Sequence, residues 1–416
     1  MIHRIVLFLL MFFFCAGLKA GENNYTDNET LNSGLEFTSS RRSVTIPAKI
    51  SNNLIVVPMR INDSPPLNFI LDTGVNTTIL TEPMIAYLFD FMPEDLVYVL
   101  GLGGEGIIEA GMSRNLTFSM RGITGENMNL VVIPEGILSF SELFGFPVHG
   151  IIGNDLFSRF PVRINYRTQT VRIFRESTYR IRRNSQIIPL EIDNNKPYVH
   201  VHITGDTPEK SDSLKLLLDM GATNPVFLNH SYNYLTQKRI PSFLGKGISG
   251  ELIGEMGRLE KLTIGDFDLK RPLVAYPQED FLTDSNFMFE WEGILGAGIL
   301  SRFHLIIDYN KERAVFRKNR DFNKDFHGNL SGIEIIAEGA RFNEFKINHV
   351  RKNSVAYEED IRPGDQIISI DNRNISRMDI EEVIGVLNQS PGSVVSMNIL
   401  RGNEILRKRI RLREDI

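Results

Sequence analysis

The sequence lacks the residues that cross-link proteins or bind metals through sulfur. It contains one cysteine, Cys15, among 416 residues, so no disulfide can form within the chain. A catalytic thiol elsewhere and a cysteine-based zinc site are excluded for the same reason. Stability must therefore come from hydrophobic cores, which a chain of this length with 42% hydrophobic residues can supply.

An excess of positive charge is also absent. Lysine and arginine number 46 against 51 acidic residues, and the formal net charge is −5. The basic stretches Arg180–Arg183 and Arg407–Arg411 are short, and we read them as a linker and as a solvated strand edge. The broad basic surface typical of nucleic-acid binding is missing, so no nucleic-acid partner is predicted.

The most apolar run, Ile5–Phe14, is too short to span a bilayer comfortably. His3-Arg4 precedes it, and Ala20 offers a small residue before a cut at Gly21. This pattern predicts a signal peptide over residues 1–20, with export to the periplasm or the cell exterior. A retained membrane anchor is the alternative.

Three sequence elements occur twice, in the same order. Their copies are 142, 147 and 143 residues apart, a constancy that chance similarity does not maintain. Two similar lobes packed together are therefore predicted. The paired elements are Ile46–Asn53 with Ile188–Asn195, Asp72–Gly74 with Asp219–Gly221, and Gly150–Phe160 with Gly293–Phe303.

Short apolar or alternating segments punctuated by glycine, asparagine and proline predict a mainly β fold. Residues 21–42 are polar and are predicted to form a flexible leader. The predicted units are a first lobe (43–183), a second lobe (184–318), a charged linker (319–329) and a C-terminal unit (330–416).

An aspartic acid ends an apolar segment in each lobe: Asp72 follows Phe69–Leu71, and Asp219 follows Leu216–Leu218. Matching positions in a duplicated unit predict that the two carboxyl groups meet across a two-fold axis. Two carboxyl groups that share one proton can activate a water molecule for peptide hydrolysis. The alternative is that each motif is an ordinary strand-ending turn.

The residues beside each aspartic acid suit such a dyad. Gly74 and Gly221 permit tight turns where a second backbone comes close. Thr73 carries a hydroxyl group that can hydrogen-bond across the axis and lock the two loops together. Met220 stands at the matching place and has no hydroxyl group.

Leu71–Gly74 and Gly150–Leu156 resemble the retropepsin-like aspartic proteases, and the resemblance covers residues 43–318. It implies two β-barrel lobes in a single-chain pseudo-dimer, with Asp72 and Asp219 as the catalytic residues. The implied substrate is an extended protein or peptide, and the implied state is a monomer. An obligate homodimer with composite sites is an alternative.

The family places a glycine-rich flap between the aspartic acid motif and the apolar glycine element. The same glycine spacing fits a dinucleotide fingerprint, but no helix follows it, so neither a nucleotide nor another cofactor is predicted. His200 and His202 share a strand face without a third ligand, so no metal site is predicted. The predicted flap residues are Gly101, Gly103 and Gly104 in the first lobe and Gly245 and Gly247 in the second.

Met220 is the main departure from the family, which usually has threonine or serine there. Its presence leaves open a catalytically weak or inactive peptide-binding protein as the competing function. Val75 and Ala222 also lack a hydroxyl group to bond the outer carboxylate oxygens. Fewer hydrogen bonds to a carboxylate depress its pKa less, so an optimum from mildly acidic to near neutral pH is expected.

The motif within Ile361–Asp371, ahead of a helix predicted at Ile380–Leu387, resembles a bacterial PDZ domain. The resemblance implies a small α+β domain that adds an extended peptide to a sheet edge and holds its C-terminal carboxylate. We expect the peptide-pairing strand to start near Asn343, and a packing module without a free peptide is the alternative. The predicted carboxylate loop contains Gly339, Ala340, Arg341 and Phe342.

Overall fold

The computed structural model describes residues 14–15, 34–100, 107–247, 250–278 and 292–416. These residues form four sheets with few and short helices, which confirms the predicted mainly β fold. Within these ranges no helix has the length and apolar character needed to cross a membrane.

The strands are numbered in chain order. Those up to the end of the first lobe are β1 (Phe14–Cys15), β2 (Gly34–Phe37), β3 (Ser43–Pro47), β4 (Lys49–Ser51), β5 (Leu54–Ile61), β6 (Leu67–Leu71), β7 (Ile79–Leu80), β8 (Asp95–Leu100), β9 (Ile107–Met120), β10 (Ile123–Val132), β11 (Gly150–Ile152), β12 (Val162–Asn165) and β13 (Thr170–Phe174). Those of the second lobe are β14 (Gln186–Pro189), β15 (Glu191–Asp193), β16 (Lys196–Thr204), β17 (Ser211–Leu218), β18 (Val226–Leu228), β19 (Arg239–Gly247), β20 (Gly250–Arg258), β21 (Lys261–Ile264), β22 (Phe267–Lys270), β23 (Leu273–Pro277), β24 (Gly293–Leu295), β25 (Phe303–Asp308) and β26 (Arg313–Lys318).

The C-terminal unit and the helices complete the fold. The last strands are β27 (Ile333–Glu338), β28 (Glu344–Val350), β29 (Gln366–Ile370), β30 (Arg373–Asn374), β31 (Val394–Arg401) and β32 (Glu404–Arg411). The α-helices are α1 (Pro83–Leu88), α2 (Phe140–Phe144), α3 (Asn154–Phe157), α4 (Ala297–Leu300), α5 (Val355–Glu358) and α6 (Ile380–Leu387), and 3₁₀-helices span His230–Leu235, Tyr309–Lys311 and Ile375–Arg377.

Each lobe is built on a ten-stranded sheet with the same central pairing. In the first lobe β6 runs parallel to β11, with Leu71 opposite Ile152. In the second, β17 runs parallel to β24, with Leu218 opposite Leu295. The strand β5 also pairs with β9 and so closes the first sheet on itself. The sequence duplication is therefore a duplication of strand register as well.

A six-stranded sheet joins the lobes, and each lobe contributes three strands to it in the order β14-β26-β25-β12-β13-β3. Its central antiparallel pair places Val162 opposite Ile307 and Ile164 opposite Leu305. The repeat offset of 143 residues makes Val162 equivalent to Leu305 and Ile164 equivalent to Ile307. Exchanging the two lobes therefore turns the first of these contacts into the second. The pseudo-two-fold axis therefore passes through the pair formed by positions 163 and 306.

Part of the segment predicted as a flexible leader is ordered, so that prediction is wrong for Gly34–Phe37. This strand, β2, pairs with Ile123–Glu126 of β10. Leu35 is fully buried, and the ring of Phe37 meets the ring of Phe160 edge-on at 5.2 Å. Two apolar side chains in a polar segment were enough to anchor it to the first lobe.

The predicted linker, residues 319–329, packs against the second lobe. Phe322 and Phe326 are buried in the main hydrophobic core. The guanidinium group of Arg302 lies over the ring of Phe326 and donates hydrogen bonds to the carbonyl oxygens of Phe322 and Asp325, at 3.3 and 3.1 Å. These contacts fix the C-terminal unit close to the lobes.

The C-terminal unit has its own sheet, ordered β27-β28-β29-β31-β32, and its own core. Helix α6 packs on this sheet through Ile380, Val383 and Leu387, which are buried. Asp379 caps the helix by accepting the amide of Glu382, whose side chain bonds back to the amide of Asp379. Local capping and apolar spacing thus explain why this helix spans the predicted residues.

Candidate functional site

Both aspartic acids of the predicted dyad are held by a neighbouring parallel strand. The amide of Asp72 donates to the carbonyl oxygen of Ile152 at 2.9 Å, and that of Asp219 donates to Leu295 at 3.0 Å. Each residue therefore continues the ladder of a buried sheet before the chain turns. The same device in the two lobes brings the two loops to the pseudo-two-fold axis.

Backbone crowding explains the repeated glycine element that follows each motif. A Cβ atom on Gly153 would lie 2.2 Å from the carbonyl oxygen of Asp72. In the second lobe, a Cβ atom on Gly296 would lie 2.1 Å from the carbonyl oxygen of Asn224. Only glycine permits this approach, and the approach sets the position of the loop that carries each carboxyl group.

The two carboxyl groups meet in a fully buried site. Asp72 Oδ1 accepts the amide of Gly74 at 2.7 Å, and Asp219 Oδ1 accepts the amides of Gly221 and Ala222 at 2.7 and 3.2 Å. A Cβ atom on Gly74 would lie 3.2 Å from Asp72 Oδ1 and 3.3 Å from Asp219 Oδ2. Both carboxyl groups therefore lie beside Gly74. Neither has any surface accessible to solvent.

The hydroxyl group of Thr73 joins the lobes at the site. It donates a hydrogen bond to the carbonyl oxygen of Leu218 at 2.6 Å and accepts one from the amide of Met220 at 3.1 Å. The side chain of Met220 is buried and has no hydroxyl group with which to return the interaction. The expected link across the axis is present, and it is made from the first lobe only.

The electrostatics favour a shared proton. Burial raises the pKa of Asp72, while the hydrogen bond with Asp219 and the amide of Gly74 oppose that rise. Burial also raises the pKa of Asp219 well above its ordinary value, and repulsion by Asp72 raises it further. Two buried carboxylates this close cannot both ionise easily, so the pair retains a proton at higher pH than an exposed carboxyl group.

Sequence reasoning missed two groups near the dyad. Lys196 is fully buried at the start of β16, and burial lowers its pKa to about 8 while Asp219 and Asp72 oppose that change. Its positive charge in turn lowers the pKa of both carboxyl groups. Burial raises the pKa of Tyr309, which stacks on Phe157 at 5.7 Å. Tyr309 directly follows a strand that is repeated in the first lobe ahead of Tyr166, but nothing in the sequence pattern places it or Lys196 beside the dyad.

The predicted flap can be followed in one lobe. Gly101, Gly103 and Gly104 lie outside the described residues, between the paired strands β8 and β9. Gly245 and Gly247 lie in β19, whose hairpin with β20 has an irregular register between Phe243 and Gly245. Gly245 has a φ angle of 137°, which a residue with a side chain rarely adopts.

The predicted location of the peptide-pairing strand in the C-terminal unit is wrong. Residues Gly339, Ala340, Arg341 and Phe342 form the turn between β27 and β28, and the strand expected near Asn343 is β28. Because β28 pairs with β27 on one side and β29 on the other, it has no free edge for an added peptide. The outer strand beside α6 is β27, which sequence reasoning did not identify as a strand.

The edge of β27 that pairs with no other described strand is covered by the first lobe. Helix α2 lies against β27, and Leu143 packs into the core of the C-terminal unit. A Cβ atom on Gly145 would lie 2.9 Å from Ile380 Cγ2 and 3.7 Å from the Cβ atom of Ala337. Helix α2 thus ends between β27 and α6, where an added peptide would have to lie.

Further contacts join the C-terminal unit to each of the two lobes. Glu381 of α6 accepts the hydroxyl group of Ser51 at 2.6 Å and the amide of Asn52 at 2.9 Å. On the other side, the ring of Phe243 in the β19 hairpin stacks on His349 of β28 at 5.3 Å. The C-terminal unit therefore touches both lobes.

Comparison with known proteins agrees with these features. Residues 57–156 match the aspartyl protease family, and residues 346–401 match the PDZ domain family. The chain is also similar to the crystal structure of aspartic proteinase from Irpex lacteus, with 14% sequence identity and a TM-score of 0.43 over 68% of this chain and 98% of that one. No curated protein matches at a significant level.

The chain is mainly β and places two buried aspartic acids at a pseudo-two-fold axis. More particularly, its first lobe matches a model of the aspartyl protease family, and its C-terminal unit matches a model of the PDZ domain family. The matched family segment includes Asp72, Thr73 and Gly74 of the first lobe.

The two motif glycines should differ in their tolerance of a methyl group. A Cβ atom on Gly221 would lie 2.2 Å from Asp72 Oδ2, whereas one on Gly74 would lie no closer than 3.2 Å to any atom around it. We expect Gly221→Ala to destabilise the folded protein more than Gly74→Ala, because its methyl group would displace the carboxyl group of Asp72. Unfolding temperatures of both variants check this. Equal effects would contradict the described geometry.

The raised pKa values predict how stability depends on pH. Since the folded dyad binds a proton more tightly than the unfolded chain, stability should fall as pH rises from about 4 toward 7. Asp219→Asn removes the repulsion and should make this fall shallower. Unfolding temperatures across that range measure it, with Asp63→Asn on the surface as the control. An unchanged profile in Asp219→Asn would count against a coupled buried pair.

Proposed function

We propose that this protein is an aspartic endopeptidase that hydrolyses extended protein segments at the Asp72–Asp219 dyad. The supporting observation is the convergence of two solvent-inaccessible carboxyl groups on Gly74, each fixed by backbone amides from its own lobe. Purely structural roles rarely place two like charges together in a buried site, because their repulsion destabilises the fold.

The geometry supplies the parts that acid–base hydrolysis needs. With one proton on the pair, the ionised carboxyl group removes a proton from a water molecule as that water attacks the peptide carbonyl carbon. The protonated carboxyl group donates its proton to the carbonyl oxygen, which gives a tetrahedral gem-diol. As the C–N bond breaks, the leaving nitrogen takes a proton from the carboxyl group that had accepted one from water, and a hydroxyl group of the gem-diol returns a proton to the other carboxylate. The titration belongs to the pair rather than to either residue.

The amide bonds to the inner oxygens keep both carboxyl groups oriented through this cycle. The amides bind Oδ1 of each carboxyl group, and Oδ2 of each is the oxygen that we assign to water and substrate. Lys196 favours the ionised form of the pair, and burial favours the protonated form. This balance supports the expected optimum from mildly acidic to near neutral pH.

A peptide-binding protein without catalysis is the second candidate, and Met220 is the observation that favours it. At the dyad, the hydroxyl group of Thr73 makes the hydrogen bonds across the axis, and Met220 cannot add a matching one. Since a hydrogen bond contributes about 1 kcal/mol net, its absence lowers the stability of the two loops only modestly. That loss is small beside the burial that holds the loops, so we favour the active enzyme.

We further propose that the PDZ domain is a packing module in the arrangement described and recruits a peptide only when α2 moves away. The cover over β27 and the bonds from Ser51 and Asn52 to Glu381 support this role. We also propose export to the periplasm or the cell exterior, on the basis of the N-terminal sequence pattern. A monomeric state is proposed because one chain contains both lobes.

Peptidase activity should depend on both carboxyl groups. With an unstructured protein as substrate, Asp72→Asn and Asp219→Asn should each lower the rate by at least about 100-fold, because each removes an acid–base group. Cleavage should be fastest from mildly acidic to neutral pH. Correctly folded wild-type protein without cleavage at any pH would contradict the enzyme and favour peptide binding. In that case Met220→Thr is the informative change.

Peptide binding to the PDZ domain should increase when α2 is loosened. We expect Leu143→Ala, in full-length Asp72→Asn protein, to bind a library of peptides with free C-terminal carboxylates at least about fivefold more tightly, because a larger fraction of molecules exposes β27. Fluorescence anisotropy measures this, with the exposed substitution Leu88→Ala on α1 as control. Equal binding by the parent and both variants would show that α2 does not block the strand.

A further inference from the structure

The fold collects arginine side chains that are scattered in the sequence. They line an open cleft of about 450 Å³ on the sheet shared by the lobes, beside the segment that connects the first lobe to the second. Its floor includes Ile306 and Val315 of a small apolar cluster. The basic side chains that line it are Arg163, Arg167, Arg180, Arg182, His304 and Arg317.

These arginines have no acidic partners in the described part of the chain. Several other arginines are paired with carboxylates, as in Arg239 with Glu255 at 2.7 Å and Arg401 with Asp365 at 2.7 Å. Beside the cleft, by contrast, Arg163 lies directly across the strand pair from Arg172. Like charges in such positions destabilise a sheet, so this pairing does not serve the stability of the fold.

Contacts within the protein orient two of the arginines, Arg163 and its neighbour Arg172. Arg163 donates to the carbonyl oxygen of Arg180 at 3.3 Å, and its guanidinium carbon lies 4.9 Å from the centre of the Phe174 ring. Arg172 donates twice to the hydroxyl group of Ser43, at 3.0 and 2.8 Å, and lies over the same ring. These contacts orient the guanidinium groups without neutralising their charge.

The positive charges reinforce one another. Burial lowers the pKa of Arg163, and Arg172, Arg182 and Arg317 lower it further. Burial lowers the pKa of His304, and Arg317, Arg182, Arg167 and Arg163 lower it further. The positive potential therefore comes from guanidinium groups, which do not titrate near pH 7.

We propose that this cleft binds a compact anion that carries two or more phosphate groups, held by Arg163, Arg180, Arg182 and Arg317. Guanidinium groups match phosphate oxygens with paired hydrogen bonds, and several together suit an anion of high charge density. The size of the cleft is typical of a small-ligand site rather than of a surface that follows a nucleic acid backbone. A free polyphosphate and a phosphorylated lipid headgroup share this chemistry.

Titration calorimetry of the full chain with inorganic tripolyphosphate at about 150 mM salt tests the site. We expect saturable binding that weakens at least about tenfold in Arg180→Gln/Arg182→Gln, because two charge-assisted contacts are lost. The matched control, Arg407→Gln/Arg409→Gln, removes the same charge from exposed positions of β32 and should bind like the parent. Equal weakening in the control would overturn the site, since net charge alone would explain it.

A second arm distinguishes the two sources of phosphate. Vesicles of phosphatidylcholine with a phosphatidylinositol bisphosphate are compared with vesicles of phosphatidylcholine alone, in a flotation assay with the same variants. Binding to the phosphorylated vesicles that depends on Arg180 and Arg182 supports a headgroup, and tripolyphosphate binding without flotation supports a free anion. Binding of neither probe, or preference for a poly-glutamate peptide over both, would overturn the proposal.

Unfolding temperatures distinguish a loss of binding from a loss of folding in the double variant. Removing Arg180 and Arg182 relieves repulsion, so the double variant should be at least as stable as the parent. Tripolyphosphate should raise the unfolding temperature of the parent and the control, because it binds the folded state, and have little effect on the double variant. A destabilised double variant would show that these arginines support the fold instead.

Discussion

The structure depends on holding two buried carboxyl groups against each other. Outside water, Asp72 and Asp219 repel each other when both are ionised, and a flexible loop would let them separate. The chain prevents this by ending a parallel strand pair at each carboxyl group and by packing glycines where any side chain would push the loops apart. The shared sheet below the axis then fixes one lobe relative to the other.

The two halves are similar in backbone and different in chemistry. Strand register is repeated closely, but Thr73 bonds across the axis and Met220 does not, and Lys196 has replaced the apolar Leu54 that stands one residue after the repeated asparagines of the first lobe. One half thus supplies the link between the lobes, and the other supplies a buried positive charge. A duplicated chain can divide these tasks, whereas a symmetric homodimer cannot.

The PDZ domain packs against both lobes that carry the dyad. Its sheet edge meets α2 of the first lobe, and the stack of Phe243 on His349 ties it to the hairpin that occupies the flap position of the second lobe. A peptide that displaced α2 would also disturb the loop leading to β11, so these packed elements offer a route from β27 to the dyad. Such coupling requires two packed arrangements of α2 with similar free energies.

The sequence by itself determined the duplication, the pair of aspartic acid motifs and the helix Ile380–Leu387, because these depend on local residue patterns. It could not place β27 or the ordered Gly34–Phe37, since each is a strand only through its partner. The approach of Lys196 to the dyad, the cover of α2 over β27 and the arginine cleft were decided by the tertiary structure. Each joins residues far apart in the chain, and electrostatic and packing interactions depend on distance in space rather than on position in sequence.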